Sequence, residues 1–210
     1  LHDGKPYSKS AEAMARRALK NVCLFYLLDT DAGESLVTAQ LKSSDNMTDT
    51  LAAIKGLILM ESPSAASALS DFESKWKEDA LVMDKWFIMQ AIKPGPDTVN
   101  TVKELMRHPA FSIQNPNKVR SLIGVFSMLN PTGFHAADGS GYAFHADRVI
   151  ELDGLNPQVA ARMASAFNRW KRYDENRKAL MKTQLQRIAA VDNLSGDVSE
   201  IVNNALRFED

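Results

Sequence analysis

Four histidines (His2, His108, His135 and His145) and one cysteine (Cys23) are the side chains best suited to metal or nucleophilic chemistry. Their spacing argues against either use. No histidine is followed by glutamate, so the helical HExxH zinc motif is absent. His135 and His145 stand ten residues apart, without the third ligand that a zinc site requires. They read as surface or capping histidines. Cys23 lies inside "NVCLFYLL" and reads as a buried small hydrophobe rather than a nucleophile. No GxSxG nucleophile elbow occurs. An unrecognised hydrolase built on His135 and His145 is therefore the weakest functional reading.

The stretch "NPTGFHAADGSGYAF", Asn130 to Phe144, concentrates glycine with His135, Asp138 and Ser140. A "GSG" at a helix start can bind an anion through free backbone N–H groups. No strand precedes it, and it has neither a P-loop lysine nor a full glycine fingerprint. It reads as a connector in which Asp138 or Ser140 caps the following helix. The basic cluster "RWKRYDENRK" mixes cations with aromatics, but Asp174 and Glu175 interrupt it. That pattern fits a helical-hairpin turn, with a basic helix C-terminus facing an acidic helix N-terminus, better than a nucleic-acid surface. The sequons at Asn46 and Asn193 double as helix caps.

The composition supports a folded, uncharged background for these motifs. The chain has 210 residues, is 45 % hydrophobic and 24 % charged, and carries a net charge of −1. A chain of this length buries roughly 70 % of its unfolded surface. The near-neutral charge recommends no nucleic-acid or membrane partner. A single cysteine excludes an internal disulfide framework, and no apolar run reaches membrane-spanning length. Leu1 opens no signal-peptide pattern. A cytoplasmic piece of a longer protein is the expectation.

The elements that must position these residues are helices. Met14, Ala18, Val22 and Phe25 recur at helical spacing, and the apolar run behind them predicts a central helix. "ALVMDKWFIMQAI" is apolar nearly all round and reads as a short buried helix rather than a strand. Ser62-Pro63, Asn115-Pro116 and Asn156-Pro157 each place a capping residue before a first-turn proline. Asp97, Asp174 and Ser195 are further caps. Asn130-Pro131 is expected to end a helix. Two stripes stand out: Val119, Leu122, Ile123 and Phe126, and then Val159, Met163, Ala166, Phe167 and Trp170. About eleven helices with short links predict an all-α fold of stacked antiparallel hairpins, a right-handed α-solenoid of the ARM or HEAT kind. No Pro/Gly/Ser-rich linker divides the chain, so residues 1–210 read as one helical domain. Two arginines border the stripes: Arg120 beside Val119–Ile123 and Arg162 beside Val159–Met163. Such residues snorkel over a core edge or line a groove on the inner face of a solenoid.

Seven blocks in order carry a resemblance over nearly the whole chain. They are "DNMTDTLAA", "ALVMDKWFIMQA", "NPNKVRSLIGVF", "FHAADGSGY", "LNPQVAARM", "WKRYDENRK" and "NLSGDVSEIV". Together they resemble the later part of the C-terminal helical domain of bacterial aminopeptidase N, in the M1 family of zinc metallopeptidases. The resemblance implies a parent enzyme that releases N-terminal residues from peptides. Its zinc site and substrate-amine motif would lie in a catalytic domain on the same polypeptide, upstream of Leu1. It further implies that this piece holds no catalytic residue and no cofactor, and walls the chamber through which peptides reach the zinc. Arg120 and Arg162 would face that channel. Lys118 stands where relatives often carry arginine. The expected partners are the catalytic domain and peptide substrates, with self-association of the piece through an uncovered hairpin end. The rival reading is a standalone α-solenoid scaffold that binds proteins on a concave face.

Overall fold

The computed structural model describes residues 7–207. Those residues form helices and connecting turns with no strand among them. The chain divides into two compact units, Leu1–Lys77 and Glu78–Asp210.

The first unit contains α1 (Ala11–Leu27), α2 (Gly33–Ser43), α3 (Met47–Leu59) and α4 (Ser64–Trp76). Here α3, not α1, is the central helix. It packs against the other three and buries Ala53, Ile54, Leu57 and Ile58. The expected core stripe of α1 lies outside instead. Met14 is 51 % exposed, Val22 51 % and Phe25 54 %, while the opposite face buries Ala13, Leu24 and Leu28. Cys23 is half-buried rather than enclosed. His2 lies outside the described residues.

Capping chemistry sets the helix starts. The Asn46 side chain accepts from the backbone N–H of Asp49 at 3.0 Å. Asp49 is itself buried. Its carboxylate accepts from Lys20 at 2.5 Å and from Asn21 and Asn46 at 3.1 Å each. Burial works to raise the Asp49 pKa, but the summed hydrogen bonds from Lys20, Asn46 and Asn21 hold it below the ordinary carboxylate value. Ser62 accepts from the N–H of Ser64 at 3.2 Å and donates to Glu34 at 2.5 Å, tying the start of α4 to α2.

The second unit begins with α5 (Ala80–Ala91) and α6 (Thr98–Leu105). "ALVMDKWFIMQAI" is thus helical, and α5 buries Met83, Trp86, Phe87, Met89 and Ala91. A longer helical run follows: α7 (Pro116–Val119), a π-helical turn (Arg120–Gly124) and α8 (Val125–Leu129). Val119, Leu122, Ile123 and Phe126 are fully buried along it, as the stripe predicts. Asn115 caps its start, accepting from the N–H of Asn117. Asn130-Pro131 does more than end α8. It opens the four-residue α9 (Pro131–Phe134), because the Asn130 side-chain oxygen Oδ1 accepts from the Gly133 N–H at 2.9 Å. The Asn130 side-chain Nδ2 meanwhile donates to the carbonyls of Ala91 and Lys93, which locks the end of α5 in place.

The remaining elements are α10 (Ser140–Asp153), α11 (Pro157–Ala164), 3₁₀ turns at Ser165–Phe167 and Trp170–Arg172, α12 (Glu175–Ala189) and α13 (Gly196–Arg207). α10 packs on α11 and α12, and α13 packs on α11 and α12. These are the short-linked hairpins expected from the sequence. Asn156, Asp174 and Ser195 cap as expected. Asp97 stands at its N-cap position without a side-chain capping bond.

Candidate functional site

The connector Asn130–Phe144 is packed from within. Gly139 adopts φ +73°, in the left-handed region that glycine enters without a Cβ penalty. A Cβ at Gly141 would lie 2.5 Å from the carbonyl oxygen of Phe134, so glycine is what lets α10 start against α9. The position an anion would take is filled from the chain itself. The Asp138 carboxylate accepts from the Ser140 N–H at 3.0 Å and from the Ser140 hydroxyl at 2.8 Å. These bonds from Ser140 lower the Asp138 pKa, and the helix start is neutralised. The connector reading holds, with Asp138 as the capping group.

His135 and His145 do not form a pair. His135 has both ring nitrogens bonded to phenols: Nδ1 to the Tyr142 hydroxyl at 2.7 Å and Nε2 to the Tyr173 hydroxyl at 2.8 Å. Its ring stacks on Tyr173 with centroids 4.2 Å apart. The Arg177 guanidinium donates to the His135 carbonyl at 2.8 Å and reaches Asp174 at 2.7 Å. Burial, with a smaller contribution from the Arg177 charge, lowers the His135 pKa, so the neutral ring is favoured. Burial raises the Tyr142 phenol. The network leaves no ring nitrogen open for a metal or a substrate. It was not legible as a network in the sequence, because its members lie 7 and 38 residues apart.

His145 is fully buried. Its Nε2 lies 2.8 Å from the Met163 carbonyl oxygen, so Nε2 carries the proton. Its Nδ1 has no partner. Phe134 and Phe167 present edges to the ring at 5.4 and 5.6 Å. Burial pushes the pKa down to about 4. This is a core histidine. Among the described residues, no group of three His, Cys, Asp or Glu side chains could hold a metal ion.

The two boundary arginines are both exposed. Arg120 opens the π-helical turn, where the Val125 N–H reaches back five residues to the Arg120 carbonyl. Such turns are rare and recur at functional sites. The Arg120 side chain folds onto its own helix start, donating to the Pro116 carbonyl at 3.0 Å and to Asn117 at 3.2 Å. Arg162 stands in the last turn of α11, one turn beyond Val159. The π-turn and α11 adjoin at Gly124, where a Cβ would meet the Met163 methyl at 3.4 Å. Between the starts of α7 and α11 lies a groove of about 320 Å³, within the size range of small-ligand sites. Ile113, Gln114, Pro116, Leu155, Asn156 and Val159 line it. Pro116 is bonded to Arg120, and Val159 is one turn from Arg162. The groove thus sits between the Asn-Pro starts of α7 and α11, and neither arginine lines it. Its lining was missed by the sequence reading, although the repeated Asn-Pro caps marked both walls.

Comparison with known proteins fixes the family. The sequence model of DUF3458_C, described as a domain of unknown function with ARM repeats, matches residues 1–207. The chain belongs to the DUF3458_C family. Aminopeptidase N of Escherichia coli (strain K12) is 41 % identical over 202 residues, covering 95 % of this chain and 23 % of that protein. Aminopeptidase N of Haemophilus influenzae is 42 % identical over 201 residues, covering 96 % of this chain and 23 % of its own length. Among solved structures, Legionella pneumophila aminopeptidase A in complex with aspartic acid superposes with a TM-score of 0.86 at 34 % identity, covering 98 % of this chain and 25 % of that one. The DUF3458_C chain therefore spans about a quarter of the length of the aminopeptidases it matches, and its sequence corresponds to their C-terminal part.

Proposed function

We propose that this chain is a non-catalytic helical domain of a cytoplasmic M1-type zinc aminopeptidase. It walls the chamber through which peptides reach a catalytic domain on the same polypeptide, and it is the later part of one helical domain. The observation that carries this reading is the similarity to aminopeptidase N along 95 % of the chain. The surface supports it: Arg120 and Arg162 are exposed on the two helical runs whose starts flank the groove. Zinc and the peptide-hydrolysing groups belong to the remainder of such an enzyme.

In this reading Arg162, and more weakly Arg120, handle substrate rather than fold. A guanidinium facing peptide can hydrogen-bond its carbonyls or carboxylates and repel a cationic side chain. In a polypeptide that includes the catalytic domain, Arg162→Ala is expected to raise KM for an acidic peptide series by about tenfold or more, the worth of one charged hydrogen bond. KM for a basic series should rise less or fall, and kcat should change little. The melting temperature should stay close to that of the parent, since an exposed boundary stem contributes about 1 kcal/mol or less. Unchanged kinetics with a large drop in melting temperature would make Arg162 structural and remove it from the channel.

The chain alone is expected to hold no stoichiometric zinc and to hydrolyse no aminoacyl-nitroanilide. Metal analysis and an assay with added zinc test this. Stoichiometric zinc together with turnover that survives repurification would overturn the non-catalytic assignment.

A further inference from the structure

Tyr142 fixes where the protons lie in the His135 cluster. The residue is fully buried, and among the described residues its hydroxyl has one hydrogen-bond partner, His135 Nδ1 at 2.7 Å. If Nδ1 carried the proton, the phenol would only accept, and its own hydrogen would be stranded in the core. Buried donors are rarely left so. Tyr142 therefore donates and Nδ1 accepts. The ring proton sits on Nε2 and goes to the Tyr173 oxygen at 2.8 Å. Tyr173 is only half-buried, so its own hydrogen can reach solvent. This one arrangement of protons satisfies three side chains, and it holds only while the ring is neutral.

We propose that His135 is an acid-released latch that fastens the α9 turn to the first turn of α10 through Tyr142. A second ring proton must go on Nδ1, where it displaces the hydrogen that Tyr142 donates. The phenol then has no acceptor to turn to, and the closed form carries an unmet buried donor. The Tyr173 side resists much less. Its ring stacks on the imidazole with centroids 4.2 Å apart, an arrangement that suits a cation. The latch thus opens at α10 while the imidazole stays on Tyr173. The surrounding charges do not offset this. Arg177 donates to the His135 carbonyl at 2.8 Å, and its positive charge opposes the added proton. The Asp174 carboxylate is engaged by the Arg177 guanidinium and backbone N–H, and the Asp138 carboxylate by Ser140. The elements packed on α9 are α6, α8 and α10. α8 carries no charged residue. On α6, Lys103 lies over the Phe144 ring and Glu104 is exposed. On α10, His145 bonds the Met163 carbonyl, Asp147 pairs with Arg187, Arg148 with Glu151, and Asp153 accepts from Ser195. The latch lies wholly inside the second unit and does not rest on the aminopeptidase reading.

Nitrogen NMR of the chain with isotope-labelled histidine, combined with amide hydrogen exchange across a pH series, tests the latch. At neutral pH the His135 ring is expected to show a protonated Nε2 and a bare, hydrogen-bonded Nδ1. Its titration midpoint should lie below the ordinary histidine value, the direction that burial also favours. The amides of His135, Ala136 and Gly139 bond within the turn. As the pH falls they should lose protection beyond the intrinsic pH dependence of exchange. The full loss should be about tenfold for each pH unit between the measured midpoint and the ordinary value. His135→Gln keeps a donor and an acceptor but cannot titrate. It should abolish that loss at the three turn amides, while Leu122 and Ile123 exchange alike in the two proteins. His145 is present in both and cancels. A ring that carries its proton on Nδ1 at neutral pH overturns the proposal. So does a midpoint at or above the ordinary value, or an acid loss of turn protection that survives His135→Gln.

Discussion

Lowering the pH from about 7 to about 4 is expected to destabilise the chain by on the order of 3 kcal/mol through His145 alone. The folded-state pKa is about 4 against 6.5 for the free group. Below the free value, the unfolded chain takes up a proton that the folded chain refuses. Stability is therefore whole above about pH 6.5, declines as the pH falls, and levels off below about pH 4. The cause is visible around the ring. Nε2 already donates to the Met163 carbonyl, so a second proton must go on Nδ1, which has no partner and sits among the edges of Phe134 and Phe167. A buried cation with an unmet donor is costly. Denaturant titrations at several pH values and fixed ionic strength measure the slope. His145→Gln keeps a donor for the Met163 carbonyl but cannot titrate. It should flatten the slope by about one proton between pH 4 and 6.5. His135 shifts in the same direction and remains in both proteins, so it cancels in the comparison. Equal slopes in parent and variant would show that His145 is not the acid-sensitive group.

Neither His135 nor His145 is the surface or capping residue that the sequence suggested, since His145 is fully buried and His135 is held between two phenols, and the reason lies in where their partners come from. Local chemistry was legible. Asn115, Asn156, Asp174 and Ser195 cap helices through bonds to residues two or three positions on, and such short-range pairs are written in order along the chain. Burial of Val119, Leu122, Ile123 and Phe126 was legible too, because a stripe flanked by caps has one face to hide. The α1 stripe had the same periodicity and the opposite fate. Periodicity shows that an apolar face exists, not what covers it, and the first unit covers the Ala13–Leu24–Leu28 face instead. The short α9 escaped because Asn130 caps Gly133 and braces Ala91 and Lys93 at once. The second task depends on residues 37 and 39 positions earlier. The His135 network likewise needed Tyr173, 38 residues on. For the candidate site, the boundary placement of Arg120 and Arg162 could be read from a helical wheel. The groove at the starts of α7 and α11 could not, since it depends on two helix starts meeting in space.

The same limit hides a buried ion pair in the second unit. Lys118, noted in the sequence only as standing where relatives often carry arginine, has just 6 % of its side chain exposed. Its ammonium is 2.7 Å from the Asp84 carboxylate, whose side chain is 16 % exposed. The ammonium also donates to the Ala80 carbonyl at 2.6 Å and lies 5.6 Å from the Phe87 ring centre. One cation thus joins the start of α5 to the turn that leads into Arg120. Removing only one partner strands the other charge in a water-poor setting. Lys118→Met, close in length and apolar, is therefore expected to cost about 3–5 kcal/mol despite preserving the packing of the stem. The double variant Asp84→Leu with Lys118→Met removes both charges. It should recover most of that loss, because a well-packed apolar pair often matches a buried ion pair in stability. Lys118→Arg restores the charge but must fit a planar fork where a compact ammonium now sits, and its cost should fall between the two. Denaturant unfolding of these proteins together with the single variant Asp84→Leu closes the cycle and gives the coupling energy. A Lys118→Met loss under about 1 kcal/mol, or a double variant less stable than the single, would mean that the pair is solvated in solution and that α5 is held by its apolar face alone.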